Sequence, residues 1–428
     1  MSADFIDPAE LRVGMFVELG LGWMAHPFPT GSFRISSDKQ IAIIRGLGLK
    51  QVRIRPERSD PQTAQDRGAP SAQAPSDPRL STSSGGARPG LVAREARLEL
   101  LGAQQRGLAQ CERRFGDAIR LYKQVLDQVG SKPRSAREQG VQLVNGLVGE
   151  LLGQRESAIR LLSEGMGDKS SMHPINVAVL SLLLGRSMGL SQAELADLGL
   201  AAFFHDLGKT QLPDRVRLLE DSFTGAEQSL YREHVALGVA MGRRMDLPSG
   251  ALVAMAQHHE LADGSGFPAR LRGAQIAPAA RILALVNRYE NLCNPARPAA
   301  ALTPHEALSL VFAQMKARFD GSTLDAFIRM MGVYPPGSVV QLVDERYAVV
   351  VSVNSARPLR PRLIVHEPGV DKGEALVLDL EQAPALGIRR SVKPASLPRA
   401  AMDYLSPRQR ICYFFERAIE PGQQRALA

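Results

Sequence analysis

From residue 170 to about residue 332 one pattern runs without interruption: apolar side chains recur at helical spacing. Three helix starts in this stretch carry a hydroxyl residue followed three positions later by a glutamate: Ser191 with Glu194, Thr224 with Glu227, and Thr303 with Glu306. Such pairs satisfy the free amides of a helix N-terminus reciprocally. Pro304, with φ already near the helical value, occupies the first position of the last of these helices. The middle of the chain is therefore expected to be an all-α unit.

The flanks differ. Residues 59–90, "SDPQTAQDRGAPSAQAPSDPRLSTSSGGARPG", hold almost no large apolar group and cannot bury enough surface to offset their ordering entropy. They are read as a disordered linker. Before it, residues 5–58 carry short alternating runs, "MFVEL" and "QVRIRP", which predict a small β-rich domain with one helix over 37–47. After it, residues 92–165 read as long helices, either a stalk that pairs two chains or the first helices of the next domain. Residues 166–335 form the helical domain itself. The runs "GSVVQLVDERYAVVVSVN", "RPRLIVHE" and "EALVLDLE" predict strands in a small C-terminal element, 336–420. The fold class is thus mainly α, with small β parts at both ends, and 428 residues exceed what one core usually supports.

The longest apolar run near the centre, "VAVLSLLLG", is far shorter than the roughly 20 residues that cross a bilayer. No basic-then-apolar leader opens the sequence, and three scattered cysteines fit a reducing compartment, so a cytoplasmic protein without a membrane span is expected. The net charge of +8 favours anionic partners, but the basic residues are spread rather than clustered, which argues against DNA.

Five of the eight histidines, His173, His205, His234, His258 and His259, fall within one 87-residue window of the helical region. One histidine on an apolar helix is ordinarily a satisfied core residue; five together are not explained by packing. Asp206 follows His205 directly. Imidazoles and carboxylates suit divalent first-row metals, and a carboxylate beside a histidine can serve two ions at once, the arrangement that clamps both oxygens of a phosphoryl displacement. On a continuing helix Lys209 would share a face with His205 and could neutralise a phosphate oxygen or protonate a leaving group. The loop "DGSGFP" follows His258-His259 at once. Gly264 and Gly266 would let backbone amides approach a phosphate, and Phe267 would serve as core or as a wall beside a base. His26, His305 and His366 lie outside the window and are taken as ordinary residues.

The run "HDLGK" followed by "HHELADGSGFP" closely resembles the HD-GYP domain, a branch of the HD phosphohydrolases whose members hydrolyse cyclic di-GMP. "LRVGMFVELGLGWMAHPF" resembles the small domain of unknown function that often precedes it. The resemblance implies an all-helical HD-type fold over about 165–335. It also implies metal ligands at His173, His205, Asp206, His234, His258 and His259, with Lys209 and Asp206 in catalysis. The Gly-Tyr-Pro element becomes Gly266-Phe267-Pro268, which keeps the ring and drops the hydroxyl. Where the family has an Asp-x-x-Asp, this chain has Asn287 and Glu290, so the resemblance makes Asn287 a neutral ligand. Lys169 stands where some members hold a glutamate for a third metal, so two divalent ions, Fe or Mn, are expected. Arg297 falls near a family arginine and joins the expected substrate contacts.

Three functions stay open on these residues. One is a metal-dependent phosphodiesterase opening cyclic di-GMP to pGpG, with GMP as a further product. The second is a weak or inactive domain acting as a nucleotide receptor or a scaffold for signalling proteins. The third is a phosphohydrolase of another cyclic nucleotide. A homodimer through 92–165 is compatible with each.

Overall fold

The computed structural model describes residues 4–19, 32–35, 37–47, 49, 51–55, 89–154, 156–218 and 223–418. Most of the expected linker, and the "GWMAHPF" part of the N-terminal motif with His26, lie outside the described residues. The chain divides into two compact units, residues 1–100 with 422–428, and residues 101–421.

In the first unit β1 (Asp4–Ile6), β2 (Phe16–Glu18), β3 (Ser32–Arg34) and β4 (Val52–Ile54) form an antiparallel sheet in the order β1-β4-β2-β3, with α1 (Asp38–Gly46) before the last strand. Alternation places Val17 and Val52 inside, where they meet Leu11, Ile35, Ile41 and Ile44. Strands β2 and β4 fall in the runs "MFVEL" and "QVRIRP" and α1 within the helix expected over 37–47, whereas β1 and β3 lie outside both runs.

The second unit contains most of α2 (Pro89–Val129), then α3 (Pro133–Gly153) and β5 (Ser157–Leu161). The helices α4 (Lys169–Ser187), α5 (Gln192–Phe204), α6 (Gly225–Arg244), α7 (Ser249–Gln257), α8 (Pro278–Cys293), α9 (Pro304–Met315) and α10 (Gly321–Met331) follow. The chain then runs through β6 (Val339–Leu342), β7 (Tyr347–Asn354), β8 (Arg362–Val365), β9 (Val377–Asp379), β10 (Ile388–Ser391), α11 (Arg399–Leu405) and β11 (Tyr413–Arg417). All three capping boxes form, at Ser191, Thr224 and Thr303. Helix α4 is the axis of the unit: every residue from Ser171 to Gly185 is buried, as a helix without a polar face must be. It packs on α5 and α8. Phe115, Tyr122 and Val125 of α2 and Val144, Leu147 and Leu151 of α3 belong to the same core, so the inward faces of these two helices are covered within the unit.

The helical reading of 92–165 runs through "SAIRL", but Ser157–Leu161 is a strand, buried at all five positions. It lies between β7 and β11 in a sheet of order β10-β6-β7-β5-β11, with β8 on β7 and β9 on β8. Pairing with strands about 190 and 250 residues further along overrides the local periodicity. The same sheet holds two strands, β10 and β11, that the alternating pattern did not mark.

Candidate metal and phosphate site

Helix α5 ends at Phe204 and hands His205 to the site as its C-terminal cap. The chain does not continue as an α-helix, contrary to the sequence reading; Leu207–Gln211 is a turn of 3-10 helix. Lys209 therefore pairs three residues back, its Nζ donating to Asp206 Oδ2 at 2.6 Å, and does not share a helical face with His205. Gly208 makes this geometry possible. A Cβ there would lie 1.9 Å from the carbonyl oxygen of His234, so only glycine lets α6 come close enough to present His234. His258 caps the end of α7, and His259 follows it. His173 projects from the first turns of α4.

The five imidazoles and Asp206 converge into two groups that share the carboxylate: His173, His205 and Asp206, and Asp206, His234, His258 and His259. Oδ2 of Asp206 stands 3.5 Å from His173 Nε2 and 3.3 Å from His205 Nε2. Oδ1 faces the other group, 3.7 Å from His234 Nε2 and 3.9 Å from His258 Nε2. Between rings, nitrogen meets nitrogen: His173 and His205 at 3.1 Å, His234 and His258 at 3.3 Å, and His259 and His234 at 3.2 Å.

The hydrogen bonds behind these rings fix what the front atoms are. Nδ1 of His205 donates to Ala202 O at 2.7 Å, that of His234 to Tyr231 O at 2.5 Å and that of His258 to Met255 O at 2.6 Å. A carbonyl only accepts, so the single proton of the neutral ring sits on Nδ1 and the inward Nε2 is a bare lone pair. His173 Nδ1 is held by the Glu290 carboxylate in the same sense. Lone pairs pressed together within about 3 Å need a cation between them, and Asp206 Oδ1 is buried with no hydrogen-bond partner. The donor set, imidazole nitrogens and a buried carboxylate, fits divalent metal binding.

Burial pushes His234 down to about 4 and holds His258 and His259 well below the usual imidazole value, which keeps these rings in the ligand form. At Asp206 burial opposes ionisation and the Lys209 ammonium favours it, and the carboxylate stays well below its ordinary range. Burial alone would lower Lys209; the paired Asp206 carboxylate raises it instead.

The site opens into a cavity of about 860 Å³ lined by Lys169, Lys209, Arg217, Arg232, Arg288, Arg297 and Arg318 against the carboxylates of Asp206 and Asp214. Gly266 and Phe267 also line it. Phe267 stacks on His259 with ring centroids 4.5 Å apart, and the Arg232 guanidinium lies 5.1 Å from its ring centre. The loop is held to α7 by the buried Glu260, which accepts from the amides of Ala269 and Leu271. Gly266 packs directly on this backbone: a Cβ would sit 2.5 Å from His259 O. The amide of Gly264 donates to Leu261 O, so this glycine shapes the turn, and Pro268 is exposed; neither is among the residues that line the cavity. Asn287 lines the same cavity as His173, Asp206, His258 and His259, its Oδ1 accepting from Asn291, which in turn accepts from Lys169. Sequence reasoning did not assign roles to Gly208, Glu260, Tyr231 or Glu290; a glycine three residues beyond His205 and a glutamate directly after a double histidine were the available signals.

A family model described as "HD domain" matches residues 150–323, and one described as "Domain of unknown function (DUF3391)" matches residues 5–139. A cyclic di-GMP phosphodiesterase of Pseudomonas aeruginosa is 26% identical over 364 residues, 84% of each chain. The response regulator RpfG of Xanthomonas campestris, also a cyclic di-GMP phosphodiesterase, is 33% identical over 34% of this chain and 39% of its own. A cyclic di-GMP phosphodiesterase of Thermotoga maritima is 27% identical over 40% of this chain and 47% of its own. The chain thus spans less than half of these last two relatives. Among solved structures, an HDG"Y"P protein of Bdellovibrio bacteriovorus aligns with 76% of this chain and 98% of its own at a TM-score of 0.40 and 13% identity. Among the described residues no helix is long and apolar enough to cross a membrane.

Proposed function

We propose that this chain, whose residues 150–323 match a family model described as "HD domain" and whose residues 5–139 match the DUF3391 model, is a metal-dependent phosphodiesterase of the HD-GYP type. Its substrate in this reading is cyclic di-GMP, opened to pGpG with GMP as a further product, in the cytoplasm of a bacterium. The observation that carries the reading is Asp206, whose two oxygens face two imidazole groups while Lys209 is held against it. Two divalent ions, iron or manganese, held by His173, His205, Asp206, His234, His258 and His259 would supply Lewis acidity toward a phosphate.

The remaining work belongs to the chain. Lys209 holds a positive charge that can neutralise a non-bridging phosphate oxygen or give its proton to the departing ribose oxygen. The basic lining, Arg297 included, draws a dianion in, and Phe267 offers a stacking face to a base. A volume of about 860 Å³ suits a ligand of dinucleotide size. The relatives from P. aeruginosa, X. campestris and T. maritima, all cyclic di-GMP phosphodiesterases by name, support the substrate. A dimer through 92–165 would use the outward faces of α2 and α3, and signalling partners would bind elsewhere than this cavity.

Asn287 favours a second reading, because a neutral amide already bonded to Asn291 adds no charge to the ion cluster. A weakly binding domain would then act as a nucleotide receptor or a scaffold. Anaerobic purification, metal counting and chromatography of cyclic di-GMP digests separate the two, with 3′3′-cGAMP as competing substrate. The phosphodiesterase reading expects about two ions per chain and pGpG from wild type but not from Asp206→Ala. Binding without turnover selects the receptor, faster cleavage of 3′3′-cGAMP changes the substrate, and turnover by Asp206→Ala refutes the mechanism.

A further inference from the structure

Behind His173 three buried polar side chains join the imidazole cluster to the segment that leads into β11. Glu290 of α8 takes His173 Nδ1 on Oε2. Its Oε1 accepts from two side-chain amides, Asn176 Nδ2 at 3.1 Å and Asn294 Nδ2 at 2.8 Å. Both nitrogens also donate to the backbone carbonyl of Ile411, at 2.9 and 2.8 Å. Both amide oxygens accept from the same segment: Asn294 Oδ1 from the amide of Ile411 at 2.8 Å, and Asn176 Oδ1 from that of Tyr413 at 2.9 Å. All three side chains are at most 4% exposed.

Two asparagines would be enough to anchor a strand, and a carboxylate alone would be enough to orient a histidine. Here each asparagine does half of both tasks. Asn176 stands one turn beyond His173 on α4, and Asn294 one turn beyond Glu290 at the end of α8, so segment 411–413 is gripped by the two helices that carry the ligand and its carboxylate. The clamp leaves Glu290 with one orientation. If Ile411 withdrew, both amides would lose an acceptor and turn, and Glu290 would lose the donors that aim Oε2 at His173.

We propose that Glu290, Asn176 and Asn294 are positioning residues for His173, and that backbone 411–413 completes their seat, so that the C-terminal strand holds one half of the dinuclear site in its binding geometry. The proposal rests on the two-ion reading above and adds to it a dependence on a segment more than 200 residues from the ligand. Loss of a carboxylate that orients a metal-bound histidine typically weakens the metal by about 10–100-fold.

The test uses the full chain and Mn²⁺ alone, read by equilibrium dialysis with elemental analysis, beside the melting midpoint of the metal-free protein. Glu290→Gln preserves size and should weaken one of the two ions by about 10–100-fold, leaving the other and the metal-free midpoint unchanged. Asn294→Ala should weaken the same ion by a smaller factor. Wild-type affinity at both positions in both variants overturns the proposal. So does an equal loss at both positions that follows a lower metal-free midpoint, which marks a general folding role. Wild type binding fewer than two ions would remove the two-ion reading and this proposal together. Two ions with no hydrolysis of cyclic di-GMP would refute the substrate while leaving the proposal standing.

Discussion

Gly208→Ala tests whether the site depends on the approach of α6 to the 3-10 turn. The added Cβ would lie 1.9 Å from His234 O and 2.5 Å from the amide nitrogen of Gly238, and all of these atoms are backbone, so no side-chain rotation relieves the clash. Ordinary contact begins at 3.4 Å, so turn and helix must part by 3.4 − 1.9 = 1.5 Å. His234 Nε2 now stands 3.7 Å from Asp206 Oδ1, and the separation carries that distance to as much as 3.7 + 1.5 = 5.2 Å. Two donors at about 2.1 Å each span roughly 4.2 Å across one ion, so the pair can no longer share it. Overpacking of this kind costs about 1–3 kcal/mol or more. Gly238→Ala, on the other side of the same contact, brings its Cβ only to 3.3 Å from the Gly208 nitrogen and serves as the control. Metal counting and thermal unfolding with and without chelator should show Gly208→Ala losing one ion and turnover, with a lowered midpoint even in chelator, and Gly238→Ala near wild type. Wild-type metal content and midpoint in Gly208→Ala would refute the close-approach argument.

Lys209→Met should leave metal binding in place, since an ammonium that pairs with Asp206 Oδ2 and lies over the Tyr231 ring cannot itself be a ligand, yet lower kcat by about 100- to 1,000-fold; a loss under threefold in steady-state kinetics would remove Lys209 from the reaction. Ser191→Ala breaks the capping box of α5 and should cost about 1 kcal/mol in urea unfolding with metal content unchanged. His305, whose Nδ1 donates to Val333 O at 2.8 Å, is held below the usual imidazole value by burial. The unfolded chain therefore takes up the proton first, and this contribution to stability is present above the unfolded value of about 6.5 and lost as pH falls through it. The midpoint of wild type minus that of His305→Gln should accordingly shrink from pH 7.5 to 5.5, and a pH-independent difference contradicts the sign.

What could be read from the sequence divides by the range of the interaction behind it. Ser191, Thr224 and Thr303 announce helix starts because a capping box is complete within four residues. The five histidines and Asp206 stand out because their chemistry is unusual for a core, wherever their partners lie. Strand β5 was misread because its partners lie about 190 and 250 residues further on, and nothing in "SAIRL" records them. Lys209 was placed on the wrong face because the helix gives way to a 3-10 turn where Gly208 meets α6, again a contact made by another element. Asn176 and Asn294 look like ordinary polar residues in helical sequence; their meaning lies in the backbone atoms of Ile411 and Tyr413, which have no side-chain signature at all. Ligand atoms are therefore legible one residue at a time, whereas the groups that aim them are legible only once the chain has folded. The same reasoning bears on Asn287. Its identity alone suggests a weakened site, but its carbonyl is tied to Asn291 and through it to Lys169, so the charge lost at one position is bonded into a chain that ends in a cation. Restoring the charge with Asn287→Asp would therefore set a carboxylate beside Asn291, the acceptor of Lys169, and a gain in metal affinity would show that the charge serves a bound metal, whereas unchanged affinity would show that it serves the Asn291–Lys169 chain.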